Sequence, residues 1–167
     1  MYTVSGNNRV DFTAYAPMHT FRGWAEQGFS GTIDADFEKG TLRTMEAAVN
    51  TLDFTTGDDE RTRAMSDYFD FPAHPRSSFV MTQCRSLAKA GSGYKAEITG
   101  ILDFAGIRRQ LPLTCMLIMQ KEHIDLALTF KWSFKAYGLK APRLLFLKVK
   151  DIVDIRVHLE FYAKEGE

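Results

Sequence analysis

At 167 residues the chain is long enough to bury about two-thirds of the surface it exposes when unfolded, which suits one domain over 1–167. Its 21 Lys and Arg are matched by 21 Asp and Glu, so it lacks the basic excess with which a nucleic-acid binder neutralises phosphates. Its 45% hydrophobic and 25% charged residues are those of an ordinary globular protein, and no run approaches the eighteen apolar residues of a membrane-spanning helix. Residues 1–9 show no basic segment followed by an apolar run. No signal peptide is therefore expected, and the expected location is the cytoplasm, or the periplasm if a leader has been removed.

Val10, Phe12, Ala14 and Ala16 alternate with Arg9, Asp11, Thr13 and Tyr15, which predicts a strand ended by Pro17. A short strand over 20–25 follows. Gly28 turns the chain into Phe29, Gly31, Ile33, Ala35 and Phe37, whose alternate partners are polar. Gly31 inside this strand implies a bend or a close backbone approach. Glu38-Lys39-Gly40 marks a hairpin turn into a strand over 42–52.

The period then changes. Thr56-Gly57-Asp58-Asp59 fits a capping box in which the threonine hydroxyl and a carboxylate serve free N–H groups. Ala64, Met65, Tyr68 and Phe69 recur at helical spacing, so a helix is predicted over 58–69, stopped by Pro72 and Pro75. Lying between two blocks of strands, such a helix would plug one end of a closed sheet.

The second block begins with a strand over 78–87. Tyr94, Ala96, Ile98, Gly100, Leu102 and Phe104 form one face of the next strand, and Ala105-Gly106 the turn after it. Ile107, Leu111, Leu113, Cys115, Leu117 and Met119 continue beyond that turn. Lys121-Glu122 turns again, into Ile124, Leu126, Leu128, Phe130, Trp132 and Phe134 on one face. A loop at 137–142 leads through 143–146 into the longest alternating segment, 147–163, which would reach on the order of 55 Å if unbroken. Its inner face is apolar throughout except for Asp151.

Eight or nine antiparallel strands with short turns and no βαβ rhythm predict an all-β fold, an antiparallel barrel of about eight strands. Its inward aromatics either fill a solid core or line a cavity, and periodicity alone favours the solid core. The cavity reading selects Phe12, Phe29, Ile33, Leu102, Phe104, Leu113, Leu117, Leu128, Phe130, Trp132 and Phe134 as ligand-binding residues.

No catalytic set emerges. Nucleophile elbows, phosphate loops and Cys-x-x-Cys are all absent from the sequence, and Asp151 is the only acid on an inward face. His19, His74, His123 and His158 show neither His-x-His nor His-x-x-x-His spacing, so no metal site and no cofactor are expected. Cys84 and Cys115 are expected as buried hydrophobes.

The segment 52–79 resembles the signature of the YceI-like family through Thr56-Gly57, Arg61, Phe69-Asp70, His74-Pro75 and Phe79. Phe29-Ser30-Gly31-Thr32-Ile33 resembles the family's Phe-x-Gly element, Gly100-Ile101-Leu102 with Gly106-Ile107 its hairpin, and Tyr137-Gly138-Leu139 its aromatic-Gly-aliphatic loop. The likeness spans nearly the whole chain in order. It implies an extended lipocalin-like barrel with a helix at one end, whose apolar channel holds a polyisoprenoid or similar long-chain lipid, often in a homodimer. Two departures stand out: Arg61-Thr62-Arg63-Ala64-Met65 replaces the family's Arg-Asp-x-His-Leu, and Phe134 stands where an Arg is common. Beside carriage or storage of a lipid, the alternatives are an isomerase or hydrolase acting on a hydrophobic substrate, and a solid-cored interaction protein.

Overall fold

Strands that are apolar on alternate residues need a sheet with one dry face, and this chain supplies it by rolling a single antiparallel sheet into a ring. The computed structural model describes residues 1–144 and 147–163. The strands are β1 (Tyr2–Val4), β2 (Arg9–Ala16), β3 (His19–Ala25), β4 (Phe29–Asp36), β5 (Thr41–Asn50), β6 (Arg76–Ala90), β7 (Gly93–Phe104), β8 (Ile107–Met119), β9 (His123–Ser133), β10 (Arg143–Leu144), β11 (Leu147–Lys148) and β12 (Ile152–Ala163). One helix, α1 (Asp59–Phe69), separates β5 from β6.

Eight strands close the ring in the order β1-β4-β5-β6-β7-β8-β9-β12, with β12 returning to β1 through Tyr2↔Ala163 and Val4↔Phe161. The hairpin β2–β3 extends the sheet from the same edge of β12, pairing from Asp154↔Thr13 to His158↔Arg9. Where β3 ends the sheet, the chain after β5 covers its edge. Trp24 and Thr55 exchange both backbone hydrogen bonds, at 2.9 and 2.8 Å. That single bridge protects the Trp24 end of an otherwise terminal strand.

Most turns lie where the sequence places them, with local differences. Ala105 and Gly106 both have positive φ, 52° and 78°, the mirror-image turn that matches strand twist. Gly31, at φ 155°, brings its backbone so close to β5 that a Cβ would lie 2.4 Å from the Glu46 carbonyl. β1 was not anticipated, being too short to show a period, and β5 ends at Asn50 in a 3-10 turn over Thr51–Asp53. The N-cap of α1 is Asp58, whose carboxylate accepts from the Arg61 N–H at 2.9 Å. Thr56, expected to cap, bonds to Thr62 and to the Asp58 carbonyl instead. The helix stops at Asp70, in the left-handed conformation at φ 53°, before either proline.

The long last strand is interrupted. β12 has 12 residues, and Leu147–Lys148 belongs to a separate two-stranded ribbon with β10. The expected lead-in through 145 and 146 lies outside the described residues. Asp151 makes the break. Its carboxylate accepts from the Ser133 hydroxyl at 2.6 Å and the Lys135 N–H at 2.8 Å, and its carbonyl from the Phe134 N–H at 3.2 Å. Those bonds cap the turn after β9, so Asp151 cannot also continue a ladder. Phe134 accordingly lies past the end of β9, at φ −57° and ψ −44°, though it remains buried.

The interior divides along the strands into two clusters. One joins Ile33, Ile98, Leu117, Ile124, Leu159 and Phe161, all nearly inaccessible. The other joins Ala14, Phe21, Trp132, Phe134, Tyr137 and Val153, and meets Tyr68 and Phe69 of α1. Strand β7 feeds the first through Ala96 and Ile98 and the second through Leu102 and Phe104. The helix closes the second end.

Candidate functional site

The strap over 51–75 makes the lid at the second end. Thr51 anchors it, its hydroxyl donating to the His74 carbonyl at 2.8 Å and its N–H to the Pro75 carbonyl at 2.9 Å. The family-like His74 thus works as a staple, and its ring packs so closely on Gly106 that a Cβ there would be 2.5 Å away. Between the anchors an aromatic chain crosses the mouth: Phe12 meets Phe54 at 6.0 Å, Phe54 meets Phe71 at 6.5 Å, and Phe71 stacks on Phe69 at 5.4 Å. Phe69 reaches the wall edge-on, 4.9 Å from Phe104 and 6.1 Å from Trp132.

Beneath this lid lies a cavity of about 270 Å³, just below the roughly 300–1,000 Å³ typical of ligand pockets. Nine of the eleven residues selected from the sequence line it: Phe12, Phe29, Leu102, Phe104, Leu113, Leu128, Phe130, Trp132 and Phe134. Ile33 and Leu117 do not. Both are fully buried in the first cluster, other members of which, Leu126, Leu159 and Phe161, do line the cavity. Core and cavity therefore coexist, the cavity reaching from the second cluster into the first.

Sequence reasoning missed the contribution of the strap and of β5. Phe54, Met65, Phe69 and Phe71 form the roof, and Met45 and Ala48 part of the wall. The helical spacing of Met65 and Phe69 marked them as a docking face but did not say that the surface they face is partly vacant. Two cations were missed as lining groups, Arg22 and Arg61. The Arg61 guanidinium lies 5.1 Å above the Phe21 ring. Neither arginine has an ion-pair partner among the described residues.

The described lining residues include no Asp, Glu, His, Cys or Lys. Asp151 stays out of the cavity, and the Ser133 hydroxyl it accepts from, with the Lys135 N–H, holds its carboxyl below the usual range. Tyr68 donates to the Lys140 carbonyl, and burial raises its phenol pKa. Burial pushes the Tyr137 phenol up to about 12, so it stays a donor, to the Leu102 carbonyl at 3.3 Å. The Trp132 indole N–H polarises that phenol but makes no hydrogen bond of proper geometry itself, although Trp132 is only 6% exposed. A buried donor left without an acceptor is uncommon in folded proteins.

The closed antiparallel ring, the helical plug and the apolar interior define a lipocalin-like β-barrel with an internal cavity. The chain belongs to the YceI-like family, whose domain matches residues 2–161. Solved structures share the fold at low identity. A polyisoprenoid binding domain from Saccharophagus degradans, implicated in plant cell wall breakdown, superposes with a TM-score of 0.79 at 15% identity, over 98% of this chain and 98% of that one. BcnA of Burkholderia cenocepacia gives 0.75 at 19% identity, over 92% and 95%. The YceI protein of Campylobacter jejuni gives 0.72 at 19%, over 90% of each. No curated protein matches the chain in sequence.

Proposed function

We propose that this protein binds, carries or stores a polyisoprenoid or similar long-chain amphiphilic lipid, with its apolar tail in the cavity under α1. The observation that carries the reading is the lining: a cavity walled by aromatic and aliphatic side chains, whose charged members among the described residues are Arg22 and Arg61. Apolar surface binds chains without regard to direction, and a few placed polar groups fix orientation. The two guanidinium groups, without ion-pair partners among the described residues, supply donors and no acceptors, which suits a ligand whose polar end carries acceptor oxygens. Family membership and the polyisoprenoid binding named for the Saccharophagus degradans domain support the same class of ligand.

We infer that the protein is not an enzyme. General acid–base chemistry needs a titratable group at the reacting centre, and the lining offers only arginines and a tyrosine whose pKa is raised. The proposal extends to a homodimer in the cytoplasm, carried over from the sequence expectations. Sedimentation velocity tests the dimer, and fractionation of cells expressing the full-length protein tests the location.

The binding test follows from Trp132. In a Trp24→Phe background, farnesol, geranylgeraniol and a long-chain alkane are titrated while Trp132 fluorescence is read. Saturable change at one ligand per chain is expected. It should come with a rise in melting temperature, since a hundredfold excess over Kd stabilises the folded state by about 2.7 kcal/mol. A flat titration with all three, and no shift in melting, would remove the lipid-binding reading.

A further inference from the structure

On the outer face of the wall, the register of β9 against β12 sets Asp125 directly opposite Glu160 and His123 opposite Tyr162. Residues opposite one another on one face have their Cβ atoms about 5 Å apart, and like charges there destabilise the pair. No Lys or Arg among the described residues pairs with either carboxylate. Two imidazoles flank them instead. His123 Nε2 is 3.2 Å from Asp125 Oδ1, and His158 Nε2 is 3.4 Å from the same oxygen. Donor atoms of His123, Asp125 and Glu160 all fall within 4.8 Å of one another.

We propose that His123, Asp125 and Glu160 bind a borderline divalent cation of the Zn²⁺ kind, and that His158, beside Asp125, swings in as the fourth ligand. Zinc–nitrogen and zinc–oxygen bonds are about 2.0–2.2 Å, so two ligands of a tetrahedral ion stand roughly 3.3–3.6 Å apart. Both histidine nitrogens already lie at about that separation from Asp125 Oδ1. The ion would also relieve the facing carboxylates. Two imidazoles with carboxylate oxygens select zinc and its transition-metal neighbours over Mg²⁺ or Ca²⁺, which prefer all-oxygen shells.

The outer contacts are those that orient ligands. Glu160 Oε2 accepts from the Tyr162 hydroxyl at 3.0 Å and the Asn7 N–H at 3.1 Å, which leaves Oε1 for the ion. Gln120 Nε2 donates to Asp125 Oδ2 at 3.3 Å, which leaves Oδ1. The His123 ring stacks on Tyr162 with centroids 4.8 Å apart. Ser5 and Asn8 bind the Glu160 backbone at 3.0 and 2.8 Å, so the ion would brace the seam where β1 closes the ring on β12. Its role there is structural.

The test uses the full chain, stripped with a chelator and dialysed at neutral pH. Zn²⁺ titrated calorimetrically should bind at one ion per chain and raise the melting temperature, reversibly on adding chelator. Mg²⁺ at millimolar concentration should do neither. His123→Gln and Asp125→Asn, both outside the lipid cavity, should each weaken Zn²⁺ at least about tenfold, the lower end of what even an orienting contact contributes. His19→Gln should leave affinity unchanged. If stoichiometric uptake is absent, or persists in the His123→Gln/Asp125→Asn double variant, the proposal is overturned. Should a variant fail to fold, its strand signal in circular dichroism shows it, and His158→Gln then carries the same comparison.

Discussion

Phe69→Ala tests whether α1 is a structural plug. Phe69 has ring neighbours at 4.8 Å (Tyr68), 4.9 Å (Phe104), 5.4 Å (Phe71) and 6.1 Å (Trp132 and Phe134). Truncating a fully buried Phe costs about 3–5 kcal/mol. Phe69 already borders the cavity, so part of its surface has no packing to lose, and about 2–4 kcal/mol is expected. In a domain of this size each kcal/mol moves melting by about 2–4 °C, so ligand-stripped protein should melt roughly 5–15 °C lower. Urea unfolding should show a lower midpoint with an unchanged slope, which separates lost stability from a changed unfolded state. Arg63→Ala, on the exposed side of the same helix, should stay within about 0.5 kcal/mol of the parent. A fall of under about 2 °C for Phe69→Ala would show that the helix does not hold the barrel end, and the lid as described would be wrong.

Burial pushes the Cys115 thiol up to about 12, so in a Cys84→Ser variant a disulfide reagent at pH 8 should react only as fast as the protein unfolds; labelling at the rate of a free thiol would contradict its burial. Asp151 has a folded pKa below its ordinary value near 3.8. Its stabilising contribution is therefore complete above that pH and is lost as pH falls through the lowered value. Asp151→Asn should melt below the parent at pH 7, with the gap narrowing below about pH 4; parallel pH profiles would disprove the link. A Cβ on Gly100 would lie 2.4 Å from both the Phe79 ring and the Val80 carbonyl, so Gly100→Ala should destabilise by about 1–3 kcal/mol by overpacking, read in urea. An unaltered midpoint would place Phe79 elsewhere.

Fold was legible because most strands carry a period of two, and period is a local property. The eight-membered ring follows from that pattern once turns are short. What failed was whatever depended on contacts distant in sequence. Asp151 looks like one more inward position of a long strand, and only its bonds to Ser133 and Lys135 reveal that it ends the segment. Thr56 reads as the capping hydroxyl in the sequence, but its bond to Thr62 engages it elsewhere and Asp58 caps the helix. β1 has three residues, too few for any alternation, and its place is fixed by pairing with both β4 and β12.

The site was partly legible for a related reason. Alternation says which face a residue occupies, not how far along the barrel it sits. Ile33 and Leu117 share their faces and their cluster with Phe29 and Leu113, yet at their own positions along the strands the packing is closed while their neighbours line the cavity. Volume decides the rest. At the helix end the interior side chains are mainly rings, which contact edge-on at 4.7–5.4 Å, as Trp132 does with Phe134 and Phe104. Rings meeting edge-on under a lid made of a single short helix leave space beneath it. The same register dependence hid the outer cluster. His123 and Asp125, like His158 and Glu160, are two apart on their own strands, the spacing that puts both on one face, and neither pair alone is a metal motif. Only an in-register β9–β12 ladder brings Asp125 opposite Glu160. A one-residue slip would turn the whole set to the interior.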